Sequence, residues 1–228
     1  MIFYLAIPLT LLFYWLTRRL YQRFPLPFIN PVLIPMLLLM AIIAGLGLSL
    51  EEFERGAHPI HLLLEPAVVA LAIPLYQQIG QIRAQLKPIL ICCLISVLIA
   101  VSMTFVICTL LPTDPKIVAS IATRSITTPL AMSVSGSLGG IASVAAAIVV
   151  LVGILGAVIG FPLLRLFGVT DPQAQGLAMG ACSHAVGTAA AAERGTIQGA
   201  FSSLALVMCG ILTAILTPLL FALYQALG

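Results

Sequence analysis

Arg124 opens the most polar segment of an otherwise apolar chain. The hydroxyl residues Ser125, Thr127 and Thr128 follow it, and Pro129 comes directly after them. The planar guanidinium of Arg binds a carboxylate through two parallel hydrogen bonds, and hydroxyl groups bind the oxygens of a small solute. This combination favours a binding site for a small hydroxylated carboxylate.

Pro129 also predicts how the backbone runs at this point. Proline has no amide hydrogen and disfavours helical geometry at the preceding residue, Thr128, so we expect a broken helix. Carbonyl groups freed by the break would bind the hydroxyls or a solute. The alternative is that Arg124 extends to the membrane surface and that Pro129 only kinks a continuous helix.

A second polar segment covers residues 176–188. Residues that recur every four positions predict one stripe along a helix: Gly176, Gly180, His184 and Thr188. Ser183 and Gly187 flank this stripe. The glycines favour close helix packing, whereas His184 is a candidate for binding a solute or for coupling protons. The alternative role for His184 is a structural hydrogen bond between helices.

Glu65 is an acidic residue deep within an apolar run, and it precedes Pro66. If ionised there, it needs a partner, and Arg124 is the candidate. Glu65 is also a second candidate for proton coupling, unless it lies near the outer end of its span, within reach of interfacial water. Asn30, before Pro31, is a weaker mark that predicts a helix start.

The elements that position these residues must be membrane helices. Of 228 residues, 61% are hydrophobic and 7% are charged, whereas a soluble domain has about 25% charged residues. The apolar runs do not alternate as in a transmembrane barrel. We therefore predict an all-α polytopic protein that forms a single integral membrane domain over residues 1–228, with about seven or eight transmembrane helices, some broken. The predicted spans are 2–17, 28–50, 60–79, 88–112, 116–135, 141–166, 173–192 and 199–227.

The charged residues between the predicted spans indicate topology. Basic residues follow the first and third spans, and mainly acidic residues follow the second: Arg18, Arg19, Arg23, Arg83 and Lys87 against Glu51, Glu52, Glu54 and Arg55. Because Lys and Arg concentrate in cytoplasmic loops, we expect a multi-pass protein of a bacterial inner membrane with its N-terminus outside.

Two short sequences recur and predict an internal repeat. Thr-Asp-Pro at 113–115 returns at 170–172, and Gly-Ile-Leu at 153–155 returns at 210–212, with the same spacing. Carriers commonly contain such repeats, and their substrate sites lie at interrupted helices. The alternative explanation for the Thr-Asp-Pro pair is that Asp and Pro simply begin helices.

Several functional classes find no support in the sequence. The cysteines are odd in number and lack the spacing of a redox or zinc motif: Cys92, Cys93, Cys108, Cys182 and Cys209. No basic run is long enough to indicate nucleic-acid binding, and no nucleophile motif is present. We expect neither an enzyme nor a protein with a metal or cofactor.

Three segments resemble the LrgB/CidB family of bacterial membrane proteins, most closely its enterobacterial branch. They are RSITTPLAM at 124–132, SHAVGTA at 183–189 and PAVVALAIPLY at 66–76, and Asn30-Pro31 also matches. The resemblance covers nearly the whole chain. Arg124 stands where the family usually has Lys, after Thr123 in place of Pro, and a carboxylate can still be held. Because Glu65 and Ala190 depart from the family pattern, no role is carried over to them.

The resemblance implies two different functions. Bacterial members are described as antiholin-like proteins or regulators of murein hydrolase export that act with a smaller LrgA/CidA-type partner. A plastid relative is a glycolate/glycerate transporter, and bacterial members have been linked to pyruvate, lactate or acetate. We expect a monocarboxylate carrier, with a holin/antiholin-like subunit as the alternative function. The expected partners are the solute, the small LrgA/CidA-type protein and, as an option, further copies of the same chain. The candidate substrate-binding residues are Arg124, Ser125, Thr127, Thr128, Pro129, Ser183, His184, Gly187 and Thr188, and the candidate structural residues are Asn30, Pro66, Gly176 and Gly180.

Overall fold

Helices make up all the regular secondary structure in the described part of the computed structural model, which comprises residues 2–24, 29, 31, 33–63, 66, 69–70, 72–111 and 113–227. The first helices are α1 (Ile2–Arg23), α2 (Leu33–Gly45), α3 (Leu50–Leu62), α4 (Ala72–Gln77), α5 (Ile79–Ala84) and α6 (Leu86–Leu110). The others are α7 (Pro115–Ile121), α8 (Thr128–Ser137), α9 (Ala142–Leu166), α10 (Pro172–Arg194) and α11 (Thr196–Leu227). The predicted all-α class is confirmed. Asn30 and Glu65 lie outside the described residues, and Pro66 is exposed.

The chain divides into two compact units, Met1–Ala70 and Leu71–Gly228. The first contains α1 to α3, with α1 packed against α2 and α3. The second contains α4 to α11 and both polar segments. The single membrane domain stays a prediction.

The acidic residues after the second predicted span do not form a loop. They lie in α3, which begins at Leu50, and the Ser49 hydroxyl accepts a hydrogen bond from the amide of Glu52 at 3.4 Å. Glu51 and Glu52 occupy the first turn, where negative charge stabilises a helix. The charged residues are exposed, and Arg55 pairs with Glu51 at 3.9 Å across one helical turn. This segment is an amphipathic helix, whereas its charged residues and its position between two predicted spans had indicated a loop.

Among the described residues, three helices are long and apolar enough to cross a membrane: α6, α9 and α11. The shorter α2 is also apolar. The predicted span at 60–79 is not one described helix, because α3 ends at Leu62 and α4 covers only Ala72–Gln77. The protein is therefore a multi-pass membrane protein, and the total of seven or eight spans stays a prediction.

The core of the second unit lies between α6 and α11. Buried residues recur at four-residue spacing along both helices, including Ile89, Cys93, Val97 and Val101 on α6 and Phe201, Ala205 and Cys209 on α11. Such rows pack as ridges into grooves. The Cys209 thiol reaches the Cys93 carbonyl at 3.9 Å, and the Phe105 and Tyr224 rings stack at 4.9 Å. This pair of helices forms the frame on which the polar segments are carried.

Both Thr-Asp-Pro segments begin helices. The Asp114 carboxylate accepts from the amide of Lys116 at 2.8 Å, and the Asp171 carboxylate accepts from the amide of Ala174 at 2.8 Å. Proline occupies the first turn in each case, where no amide hydrogen is needed. The helix-start interpretation of this pair is therefore confirmed, whereas the internal repeat stays a prediction.

We predict that Asp171→Ala lowers the free energy of unfolding by about 1 kcal/mol, because it removes the side chain that caps α10. Asp171→Asn is the matched control, since its amide oxygen still accepts from the backbone. Thermal unfolding of the purified protein in detergent measures both. Equal destabilisation by the two variants would show that charge, and not capping, is what matters at this position.

Candidate binding site at two interrupted helices

The predicted break before Pro129 is present. α7 ends at Ile121, residues 122–127 form a turn, and α8 begins at Thr128. The extended residue is Thr127 (φ −65°, ψ 146°), one position before the residue that the proline rule predicts. Pro129 therefore sits in the first turn of α8, where its missing amide hydrogen costs no helical hydrogen bond.

Arg124 lies in this turn and bonds back to the helix bundle. Its Nη2 donates to the carbonyl of Ala100 in α6 at 2.9 Å, and the residue is half-buried. Among the described residues no carboxylate pairs with Arg124. The ion pair seen in this part of the chain joins Arg55 and Glu51, which both lie in α3. Glu65, the predicted partner, is outside the described residues. A guanidinium in apolar surroundings with no described counter-ion is suited to bind an anion.

The hydroxyl residues of this turn and of the start of α8 are partly accessible. Ser125, Thr127 and Thr128 are half-buried, and Pro129 is exposed. The Thr127 side chain makes no capping hydrogen bond to α8. Thr123, by contrast, is fully buried, and its hydroxyl donates to the Ser120 carbonyl at 3.3 Å. Half-buried hydroxyl residues therefore lie next to Arg124 in the sequence, within the same interruption or directly after it.

α10 contains the second interruption, with no proline to mark it. Ser183 (φ −127°, ψ 15°) and His184 (φ 41°, ψ −133°) leave helical geometry. Among the described residues, His184 is the only non-glycine residue with positive φ. Such a conformation costs roughly 1–3 kcal/mol and persists only where the surrounding structure holds it.

This second break divides the predicted stripe between two faces. A Cβ at Gly180 would collide with the Ser202 carbonyl of α11, and Gly176 also lies against α11. The Thr188 hydroxyl lies 2.9 Å from the Ser202 hydroxyl. His184 instead contacts α9, because the backbone turns at the break. The prediction of one continuous stripe is therefore wrong for His184, although the helix packing predicted for the glycines is present.

The His184 imidazole is buried against α9. Its Nε2 lies 2.8 Å from the carbonyl oxygen of Val149, and the residue is only 3% exposed. The ring fits because Gly153 has no side chain; a Cβ there would lie 2.6 Å from Cε1. Gly156 leaves the same room for Ser183. These two glycines of α9 therefore allow both residues of the break to approach closely.

Val149 connects the two breaks. Its side chain lies in one buried cluster with Ile126, in the turn between α7 and α8, and with Ala131, while its carbonyl oxygen accepts a hydrogen bond from His184. Val149 and Ile126 are both fully buried. The two interruptions therefore lie beside each other at one turn of α9.

The candidate residues thus fall into two groups. The Arg124 turn and the Ser183–His184 break meet at α9, whereas Thr188 ties α10 to α11. A Cβ at Gly187 would lie 2.7 Å from the Met179 carbonyl, which shows how sharply the chain folds at the break. All their binding roles stay predictions. Sequence reasoning missed the carbonyls of Ala100 and Val149, because every residue has a carbonyl and no side-chain type marks these two.

The fold and the site define the chain as a multi-pass helical membrane protein in which two interrupted helices meet beside a cationic residue. The model of the family described as LrgB-like matches residues 10–223. The chain belongs to this LrgB-like family.

Relatives match over almost the whole chain. An uncharacterized protein of Haemophilus influenzae is 38% identical over 222 residues, covering 97% of this chain and 96% of the relative. The protein YxaC of Bacillus subtilis is 34% identical, with 97% and 96% covered. The holin-like protein CidB of Staphylococcus aureus is 31% identical, with 96% of each covered. No solved structure matches the chain.

We predict that Gly153→Ala destabilises the protein by about 1–3 kcal/mol, because the new methyl group displaces the His184 ring from α9. Gly136→Ala is the control, since a Cβ at Gly136 in α8 has no neighbouring group within 4 Å. Thermal unfolding in detergent compares the two. A Gly153→Ala protein as stable as the Gly136→Ala protein would mean that the ring moves freely in this place.

Proposed function

We propose that the protein is a secondary carrier for small monocarboxylates such as glycolate, glycerate, pyruvate or lactate, and not an enzyme. The observation that supports this most is Arg124, a half-buried cation at a helix break with no described carboxylate partner. Burying such a cation is costly unless an anion or a polar cavity compensates it. A transported carboxylate would supply that anion.

The proposed site forms around the first break. Arg124 binds the carboxylate through N–H groups other than the one that donates to Ala100. Thr127 and Thr128 contact the hydroxyl or keto oxygen at the second carbon of the solute, and Ser183 lines the other side. α8 begins at Thr128, and the partial positive charge at the N-terminus of this helix also attracts the carboxylate.

The two interrupted helices are the proposed moving parts. α7–α8 and α10 each begin after an Asp that caps the helix, are interrupted, and are followed by a long apolar helix. We propose that they are copies of an internal repeat and that they rearrange around the site to open it to either side of the membrane. The proposed location is the bacterial inner membrane, with the N-terminus outside and with a small LrgA/CidA-type membrane partner.

The second candidate function is a holin/antiholin-like subunit that regulates murein hydrolase export and lysis. It is favoured by the name of a relative, the holin-like protein CidB. Exposed apolar residues along α6 and α9, such as Ile99, Met103 and Leu155, would contact lipid or another subunit. In this alternative Arg124 is a structural tie to α6, and replacing it would alter assembly instead of solute flux.

We predict that Arg124→Ala weakens solute binding at least about 30-fold, because removing one partner of a buried charge pair costs about 2 kcal/mol or more. The measurement is uptake of radiolabelled glycolate, pyruvate and lactate into proteoliposomes, with and without the small partner. Arg124→Lys should keep part of the flux, because its charge is retained without the planar fork.

Arg165→Ala is the matched control, since Arg165 is exposed at the end of α9. It should transport like the wild type. Saturable flux that falls only with the Arg124 variants supports a carrier. An absence of solute flux from folded wild-type protein, together with a change in oligomeric state for Arg124→Ala, would support the holin-like subunit instead.

A further inference from the structure

The hydrogen bond of His184 fixes which ring nitrogen carries the proton. Nε2 lies 2.8 Å from the Val149 carbonyl oxygen. A carbonyl only accepts hydrogen bonds, so Nε2 must be the donor. In the neutral ring the other nitrogen, Nδ1, then has a free electron pair and is the basic atom.

The packing around the ring keeps this arrangement. The residue is 3% exposed, and Gly153 lies so close that a Cβ would be 2.6 Å from Cε1 and 2.8 Å from Nε2. The backbone at His184 is held in a conformation that L-residues rarely adopt. A 180° rotation of the ring would put the carbon Cε1 where Nε2 lies and would break the bond to Val149, so the Nε2–H form is kept as long as that bond is kept. A proton can be added at Nδ1 while the bond to Val149 stays in place.

The described groups around His184 offer no anion to a protonated ring. The charged side chains of α6, α9, α10 and α11 lie towards the helix ends: Lys87, Arg165, Glu193 and Arg194. The other titratable groups of these helices are thiols and one phenol: Cys92, Cys93, Cys108, Cys182, Cys209 and Tyr224. α8 has no charged residue, and α7 has Lys116 in its first turn. Ile126 lies in the same buried cluster as Val149, the residue that binds His184. The charged residue nearest to Ile126 in the sequence is Arg124, which is a cation.

A bound carboxylate would change this balance. A second cation in the same helix bundle as the half-buried Arg124 is unfavourable, whereas a bound anion compensates both charges. The anion that binds Arg124 would therefore also favour an imidazolium at His184. Conversely, a protonated His184 would favour retention of the anion, because coupling between two sites is reciprocal.

We propose that Nδ1 of His184 takes up the coupling proton, so that each monocarboxylate crosses the membrane together with one proton. This inference rests on the proposed carrier function. Water on one side gives the proton to the Nδ1 electron pair when the anion binds, and Nδ1 returns it to water on the other side when the anion leaves. Because one negative and one positive charge move together, transport is electroneutral.

The first test uses His184→Gln, whose amide can donate to Val149 but has no basic nitrogen. His58→Gln, in α3, is the matched control. Proteoliposomes that contain a pH-sensitive dye report solute and proton entry together, since a difference of one pH unit supports about tenfold accumulation of a solute that moves with one proton. We expect His184→Gln to lose this accumulation and the accompanying proton entry, while slower solute exchange remains detectable.

The second test does not depend on transport. Nitrogen NMR of protein labelled with ¹⁵N-histidine, with His184→Gln to assign the signal, should show Nε2–H and an unprotonated Nδ1. Addition of glycolate should protonate Nδ1. An Nδ1–H tautomer, or proton entry that survives in His184→Gln, would overturn the coupling role while leaving the carrier function intact. Wild-type protein that moves none of the solutes would overturn the carrier function, and the coupling with it.

Discussion

Backbone hydrogen bonding in an apolar medium is the constraint on which the rest of the structure depends. Within hydrocarbon an unpaired amide or carbonyl costs several kcal/mol, so a helix can be interrupted only where protein or a polar cavity surrounds the break. Both interruptions meet this requirement. Ile126 and His184 are buried at the two breaks; Val149 shares a buried cluster with Ile126 and a hydrogen bond with His184. The same constraint explains the glycines of α9, because this helix can pack closely against the break in α10 only where it has no side chains.

The sequence predicted the first break better than the second for a physical reason. Pro129 changes the backbone chemistry directly, whereas residues 181–186 contain nothing that excludes a helix. The interruption at His184 arises from tertiary packing against Gly153 and Gly156, which are distant in sequence. The sequence predicted the helix starts at Asp114 and Asp171 because capping is an interaction between residues close in sequence. The acidic α3 was misread, since charge indicates exposure and does not separate a loop from an amphipathic helix.

The carrier and the holin-like subunit differ in what the polar centre is for. A structural tie would be satisfied by the bond from Arg124 to Ala100 alone. That bond leaves most of the guanidinium donors unassigned, and the half-buried residues Ser125, Thr127 and Thr128 lie in the same turn or directly after it. The concentration of donors at one place exceeds what holding two helices together requires. It agrees better with a solute that is bound and released.

The left-handed backbone at His184 sets stability against activity at a single position. Glycine adopts such a conformation without steric cost, so a glycine there would relax the break. The same replacement would remove the imidazole and its bond to Val149. Selection for a more rigid or more heat-resistant protein would therefore favour losing the ring, and only a requirement for its chemistry would keep it. A sequence library selected for stability alone should drift away from histidine here, whereas one selected for function should retain it.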